Sequence, residues 1–289
     1  MATAMRWMVP IRLIVLSLVS ATLLSACGAS SSSQSSSSGS GGASTFTVIN
    51  AASSTAIKRA PAPTHTSCRS VVYIGDSTSD GEASAEYVPN AKLREPAQLL
   101  KVGVKTTHMQ VSGARSIHEI FKNIPNAAMV ARKEVAAGYH GCWILALGTN
   151  EAADVAAGST FGLRARIATM MSIIGDHPVM WINAITLPGT PQYYGDAGMR
   201  QWDNDLLAAC SKHPTMRVYD WAAHAKPSWF ISDHIHYTPQ GYIQRTRLIA
   251  HALVKAFPRN QPPSVPPIIR AFVEAFPRNP PGTATCLVR

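Results

Sequence analysis

The chain lacks several features that would each name a function class. It has no Gly-x-Ser-x-Gly, so the nucleophile elbow built on that motif is not present. No two of its five cysteines stand in Cys-x-x-Cys spacing, which argues against a structural zinc site. No run of basic residues is longer than Lys58-Arg59 or Arg132-Lys133. Scattered basic charge does not make the focused patch that nucleic acid requires, and no nucleic-acid partner is expected. The longest apolar stretch, Leu13 to Leu24, is 12 residues broken only by Ser17, Ser20 and Thr22. A membrane-spanning helix needs about 20. The order Asp76, Thr78, Asp80, Gly81 imitates the start of a calcium loop, but Tyr87 stands where the bidentate Glu belongs.

What is present begins with an export signal. Arg6 and Arg12 supply the positive start, and Leu13 to Leu24 suits the apolar region of a signal peptide. Leu24-Ser25-Ala26-Cys27 followed by Gly28 resembles a bacterial lipobox, which implies cleavage before Cys27 and lipidation of its sulfur. An ordinary signal cut nearby, or an uncleaved anchor, is the alternative. The expectation is an exported chain, lipid-anchored to the outer face of the bacterial cytoplasmic membrane or to the cell envelope. The stretch from Ala29 to Ser44 is almost entirely Ser, Gly and Ala and cannot bury apolar surface, so it reads as a tether. These signals divide the chain into a signal at 1–27, a linker at 28–66, a domain at 67–257 and a Pro-rich extension at 258–289. In the extension Ala256-Phe-Pro-Arg-Asn recurs as Ala275-Phe-Pro-Arg-Asn. The domain, roughly 190 residues, is long enough for one sizeable core. Formal charge is +10, and loss of Arg6 and Arg12 with the signal leaves +8. Anionic lipid or cell-wall polymer is the simplest neighbour for such a surface.

With Cys27 set aside, Cys68, Cys142, Cys210 and Cys286 remain, and an even number in an exported protein suggests disulfides. Cys68 and Cys142 each precede a short apolar run, Val71-Val72-Tyr73-Ile74 and Trp143-Ile144-Leu145-Ala146-Leu147. If those runs are parallel neighbours, the two Cys lie side by side. That favours Cys68–Cys142, with Cys210–Cys286 left by elimination.

Further strands are expected at Thr107–Val111, Val179–Ile185 and Met216–Tyr219. Continuous apolar runs fit strands covered on both faces. Between them lie amphipathic helices, one carrying Leu163, Ile167, Met170, Met171 and Ile174 and another Trp202, Leu206 and Cys210. Gln240 to Phe257 reads as a last helix, with Pro239 at its start and Pro258 at its end. Alternating strand and helix predicts an α/β three-layer sandwich around a parallel sheet, whose sites form at the carboxyl ends of strands.

The chemistry follows those ends. The first strand runs into Gly75-Asp76-Ser77, which places a hydroxyl beside the free N–H groups of a helix start; alone, the same residues describe a helix cap. The second strand leads to Ser112-Gly113-Ala114-Arg115, where Gly lets backbone approach a ligand or simply turns. The third ends in Gly148-Thr149-Asn150, where the Asn amide either points into a site or closes an Asx turn. Near the end lies Asp233-His234-Ile235-His236. Three residues apart in a turn, Asp233 can fix the His236 tautomer and leave Nε2 as a base. The rival, metal ligation by Asp233, His234 and His236, lacks a fourth ligand cluster, and no metal is expected.

These four blocks, in this order, resemble the SGNH (GDSL-type) hydrolase family over roughly Val71 to Phe257. The ending Asp-His-Ile-His-Tyr-Thr-Pro-Gln-Gly-Tyr from Asp233 is also similar to the extracellular SGNH domains of bacterial cell-wall O-acetyltransferases. The resemblance implies a five-stranded parallel sheet in flavodoxin-like order, first and third strands adjacent, which again supports Cys68–Cys142. It implies Ser77 as nucleophile, His236 as base, Asp233 as its orienting carboxylate, and the Ser77 N–H, Gly113 N–H and Asn150 amide as oxyanion donors. The expected function is a secreted serine esterase that cleaves acyl or acetyl esters through an acyl-enzyme, with no cofactor. The expected partner is an acyl ester substrate, including cell-envelope polysaccharide or lipid. The alternatives are an O-acyltransferase acting on cell-envelope glycans and a non-catalytic wall-binding lipoprotein. Tyr193, Tyr194 and Trp229 stand either as a sugar-stacking or acyl-binding wall or as packing residues.

Overall fold

The computed structural model describes residues 62–259 and 286–289. The signal, Cys27, most of the linker and the second copy of the repeat lie outside the described residues. In chain order the elements are β1 (Ser70–Gly75), α1 (Asp80–Ala83), α2 (Glu95–Lys101), β2 (Thr106–Val111), α3 (Ala127–Ala136), β3 (Cys142–Ala146), α4 (Thr149–Ala156), α5 (Leu163–Ile174), β4 (Val179–Ile182), α6 (Asp196–Cys210), β5 (Met216–Tyr219), α7 (Pro239–Ala256) and β6 (Leu287–Val288). They form one sheet in the order β2-β1-β3-β4-β5-β6, every pair parallel.

The first five strands follow the flavodoxin-like order, with β1 between β2 and β3. The sheet has six strands rather than five, because Leu287 and Val288 pair with Val218 and Tyr219. A two-residue strand after a Pro-rich stretch carries no alternating or continuous apolar pattern to read. β4 is shorter than its apolar run. Asn183 N–H still donates to the Tyr219 carbonyl at 3.1 Å. The next N–H, of Ala184, goes instead to the Asp203 carboxylate at 2.9 Å, so the chain leaves the sheet.

β1, β3 and β4 bury both faces, which is why their sequences are continuously apolar rather than alternating, whereas the edge strand β2 has no fully buried residue. Val72, Ile74, Trp143, Leu145, Trp181 and Val218 pack on one side with α3, α5 and α6. Val71, Tyr73, Ile144, Met180, Ile182 and Tyr219 pack on the other with α2 and α7. The result is the three-layer sandwich. Helix α7 starts where its sequence says: Thr238 Oγ1 accepts the Gly241 N–H at 3.1 Å and Pro239 takes the first turn, whose N–H groups have no helical partner.

Disulfides join Cys68 to Cys142, with Cα atoms 5.7 Å apart, and Cys210 to Cys286, with Cα atoms 6.0 Å apart. The first ties the entry of β1 to β3. The second ties the end of α6 to the approach of β6.

Candidate active site

Register decides where the site lies. Gly75 is paired with Val111 on one side and Ala146 on the other, so β1, β2 and β3 end level. The residues that follow them, Ser77, Gly113 and Asn150, therefore emerge on one edge of the sheet. Gly75 is required by close packing: a Cβ there would stand 2.8 Å from the Ser79 side chain. Gly148 has φ +143°, and a Cβ would stand 2.3 Å from the Trp202 indole nitrogen, so only glycine leads β3 into α4.

Ser77 opens a 3-10 turn, Ser77–Ser79. Buried Asp76 caps the turn through Oδ1, which accepts the Thr78 N–H at 2.8 Å and the Thr78 hydroxyl at 2.7 Å. Burial pushes the Asp76 carboxyl up, while the Thr78 hydrogen bonds and the charges of Arg245 and His236 pull it back.

His236 comes from a tight hairpin. Phe230 and Tyr237 bridge in antiparallel fashion, and the Ile231 N–H donates to the His236 carbonyl at 2.9 Å. At the turn, Asp233 Oδ1 accepts the N–H groups of Ile235 and His236, both at 2.9 Å. Its other oxygen, Oδ2, lies 2.7 Å from His236 Nδ1. His236 Nε2 lies 2.9 Å from Ser77 Oγ. The carboxylate thus fixes the ring so that Nε2 faces the hydroxyl. Burial alone would raise the Asp233 carboxyl; the bonds from the His236 ring and the two N–H groups outweigh it and hold the group below its usual range. His234 turns away. With φ +64°, it carries its ring Nδ1 to the Pro188 carbonyl, so it does not share a centre with Asp233 and His236. Among the described residues no cluster of three His, Cys, Asp or Glu could hold a metal.

Neither the Ser77 nor the Gly113 N–H has an acceptor among the described residues. Buried Asn150 sits in the first turn of α4, where its amide nitrogen donates to the Arg115 carbonyl at 3.2 Å. An amide has two hydrogens, so one bond fixes the side chain and the other hydrogen stays available. Ala114, between Gly113 and Arg115, has φ +54°, a strained value for a residue with a Cβ. Behind Asn150 lies Glu151, fully buried. Its Oε1 accepts the Ile117 N–H at 2.7 Å. Burial and the nearby Asp76 push its carboxyl up to about 8, so it is mostly protonated at neutral pH.

Sequence reasoning passed over the support beneath Ser77. Arg245 on α7 is 2% exposed. Its guanidinium donates to the Thr78 carbonyl and the Ser79 hydroxyl, each at 3.1 Å, and pairs with buried Glu82. The Tyr73 hydroxyl joins the same group, 3.1 Å from Ser79 Oγ and bonded to Glu82. A signal was available: Tyr242, Arg245, Ile249 and Leu253 share one helical face, so an arginine stands in an apolar stripe.

A cleft of about 270 Å³ opens beside Ser77 and His236, walled by Asp80, Tyr87, Ile231 and Tyr242. Tyr193, Tyr194 and Trp229 do not line it. Trp229 stacks on Trp221, ring centroids 5.8 Å apart, and the Tyr194 carbonyl accepts the hydroxyls of Thr186 and Thr190 at 2.7 and 3.0 Å.

No protein-family model and no curated protein matches the chain. Solved structures do. A carbohydrate acetylesterase family member from Sinorhizobium meliloti superposes with a TM-score of 0.52 at 14% identity, over 65% of this chain and 98% of that one. A candidate arylesterase from Agrobacterium tumefaciens gives 0.51 at 15% identity, over 63% and 97%. At such identities the likeness is one of fold. The fold implied by the resemblance to the SGNH hydrolases is the fold this chain has.

Proposed function

We propose that the chain is an exported serine ester hydrolase of the SGNH type. The observation that carries this reading is the unbroken hydrogen-bond chain from Asp233 through His236 to Ser77 Oγ, at the carboxyl end of β1. In the proposed reaction Ser77 Oγ attacks an ester carbonyl carbon as His236 Nε2 takes the hydroxyl proton. The carbonyl oxygen becomes an oxyanion, received by the Ser77 and Gly113 N–H groups and the Asn150 amide. The alcohol leaves with the proton from His236, and an acyl group remains on Ser77. Water then attacks that acyl group as His236 takes its proton, the acyl–Oγ bond breaks as His236 returns that proton to Ser77 Oγ, and the acid is released. Asp233 keeps the ring oriented and stabilises the imidazolium. No step calls for a cofactor. Two disulfides support an oxidising compartment, consistent with export and with a lipid anchor at Cys27.

The test is labelling of the full chain with a fluorophosphonate, which reacts with activated serines. Wild type should label and Ser77→Ala should not. A folded wild-type chain that fails to label overturns the reading. Labelling would leave open only whether water or a glycan hydroxyl accepts the acyl group.

A further inference from the structure

The cleft beside Ser77 has a definable side. In ester cleavage the protonated base returns its proton to the departing oxygen, so the alcohol must sit within reach of His236 Nε2. The acyl oxygen must lie with the oxyanion donors. Ser77 and His236 line this cleft, while Gly113 and Asn150 do not. The cleft thus lies on the His236 side of Ser77, within reach of the group that returns the proton.

Its walls say what kind of alcohol. Tyr87 is 39% exposed and is braced by Tyr242, with ring centroids 5.5 Å apart. Tyr242 in turn is buried over Gly81, where a Cβ would stand 2.2 Å from its ring. A preset ring face is thus available for an apolar surface. Opposite in character is Asp80. It is half-buried, and among the described residues nothing donates a hydrogen bond to its carboxylate. The nearest neighbour of a Cβ built on Gly113 is Asp80 Oδ2, at 3.8 Å, so this acceptor stands where the cleft meets the oxyanion side. The charges of His236 and Arg115 lie near it, but desolvating a carboxylate that accepts no hydrogen bond under a hydrocarbon chain is still costly. A ligand that brings a hydroxyl donor to it removes that cost. Only Tyr87 among the aromatic walls is exposed, Tyr237 and Tyr242 being 3% and 2%, so the several open ring faces that hold a quaternary ammonium are lacking.

We propose that this cleft binds the alcohol moiety of the substrate and that the moiety is a sugar ring, its apolar face on Tyr87 and a hydroxyl donated to Asp80. The inference rests on Ser77 and His236 acting as nucleophile and base. The experiment compares three acetyl esters in the full chain: a mono-O-acetylated methyl glucoside, ethyl acetate and acetylcholine. Asp80→Asn, Asp80→Ala and Tyr87→Ala should each lower the ratio of kcat/KM for the glucoside over ethyl acetate by about tenfold or more, the scale of a lost hydrogen bond to a charge. An unchanged ratio overturns the proposal, as does a loss that falls on acetylcholine instead. A second arm does not depend on turnover. The Ser77→Ala chain should bind the acetylated glucoside saturably in a calorimetric titration, and adding Asp80→Asn should weaken binding about tenfold. Absence of saturable binding also overturns it. A wild-type chain without labelling or esterase activity, joined to intact sugar binding in the second arm, would remove the hydrolase reading and keep the sugar site.

Discussion

Arg245 reaches the carbonyl of Thr78 at 3.1 Å from 167 residues further along the chain. The helix that follows His236 thereby grips the turn that begins with Ser77. Both halves of the site are fixed to one buried ion pair, Arg245 with Glu82. Removing one partner of such a pair leaves an uncompensated charge. Arg245→Met should cost about 3–5 kcal/mol, read from the urea midpoint. Adding Glu82→Gln should recover part of that loss, because the two changes share the interaction.

Asp233→Asn tests orientation rather than folding. The amide cannot hold the His236 tautomer as the carboxylate does, and kcat should fall by about 10⁴ in a chain that still folds. The Asp233 carboxyl lies below its usual range. Its pairing therefore stabilises the fold fully above the ordinary carboxylate pKa of about 4. That contribution is lost as pH falls further, through the lowered native value. A wild-type midpoint measured against Asp233→Asn should converge with it in acid.

Asn150→Ala should lower kcat by about 10²–10³ while leaving KM close to wild type, since an oxyanion donor acts on the transition state. An equal rise in KM with unchanged kcat would instead assign the amide to ground-state binding.

Glu151 gives a pH signature of opposite sign. Its carboxyl is raised to about 8 in the native state, so the fold holds a proton that the unfolded chain releases near 4.3. The stability associated with that proton is full below about pH 4.3 and declines as pH rises to about 8. Glu151→Gln carries no such proton. Its thermal midpoint should gain on wild type steadily from pH 5 to pH 8, and a pH-independent difference would refute the assignment.

The disulfides close segments of 74 and 76 residues. In the chain-entropy account a loop of that length contributes roughly 4 kcal/mol. Thermal midpoints measured with and without a thiol reductant should differ by more than about ten degrees, and Cys68→Ser/Cys142→Ser should reproduce part of the shift.

The blocks around Ser77, Gly113, Asn150, Asp233 and His236 stood out in the sequence for a physical reason. A strand end in a parallel sheet is short, apolar up to its last residue and then abruptly polar, so the polar residues declare themselves. The supporting group did not. Tyr73, Glu82 and Arg245 come from a strand, a four-residue helix and the last long helix, and nothing local links them. Tyr87 resembled only a failed calcium ligand, because a wall of a cleft is defined by what faces it. Trp229 looked suitable for stacking on a ligand, yet its partner is Trp221.

The pairing of Leu287 and Val288 with β5 bears on how copies of this protein treat each other. An uncovered β5 would present a row of unpaired N–H and C=O groups, the template on which sheets of separate molecules join. A strand of two residues, pinned by Cys286, is too short to recruit another chain in turn. Leu287 and Val288 thus shield that stretch of the β5 edge, and their detachment would leave its N–H and C=O groups open to a strand from another molecule.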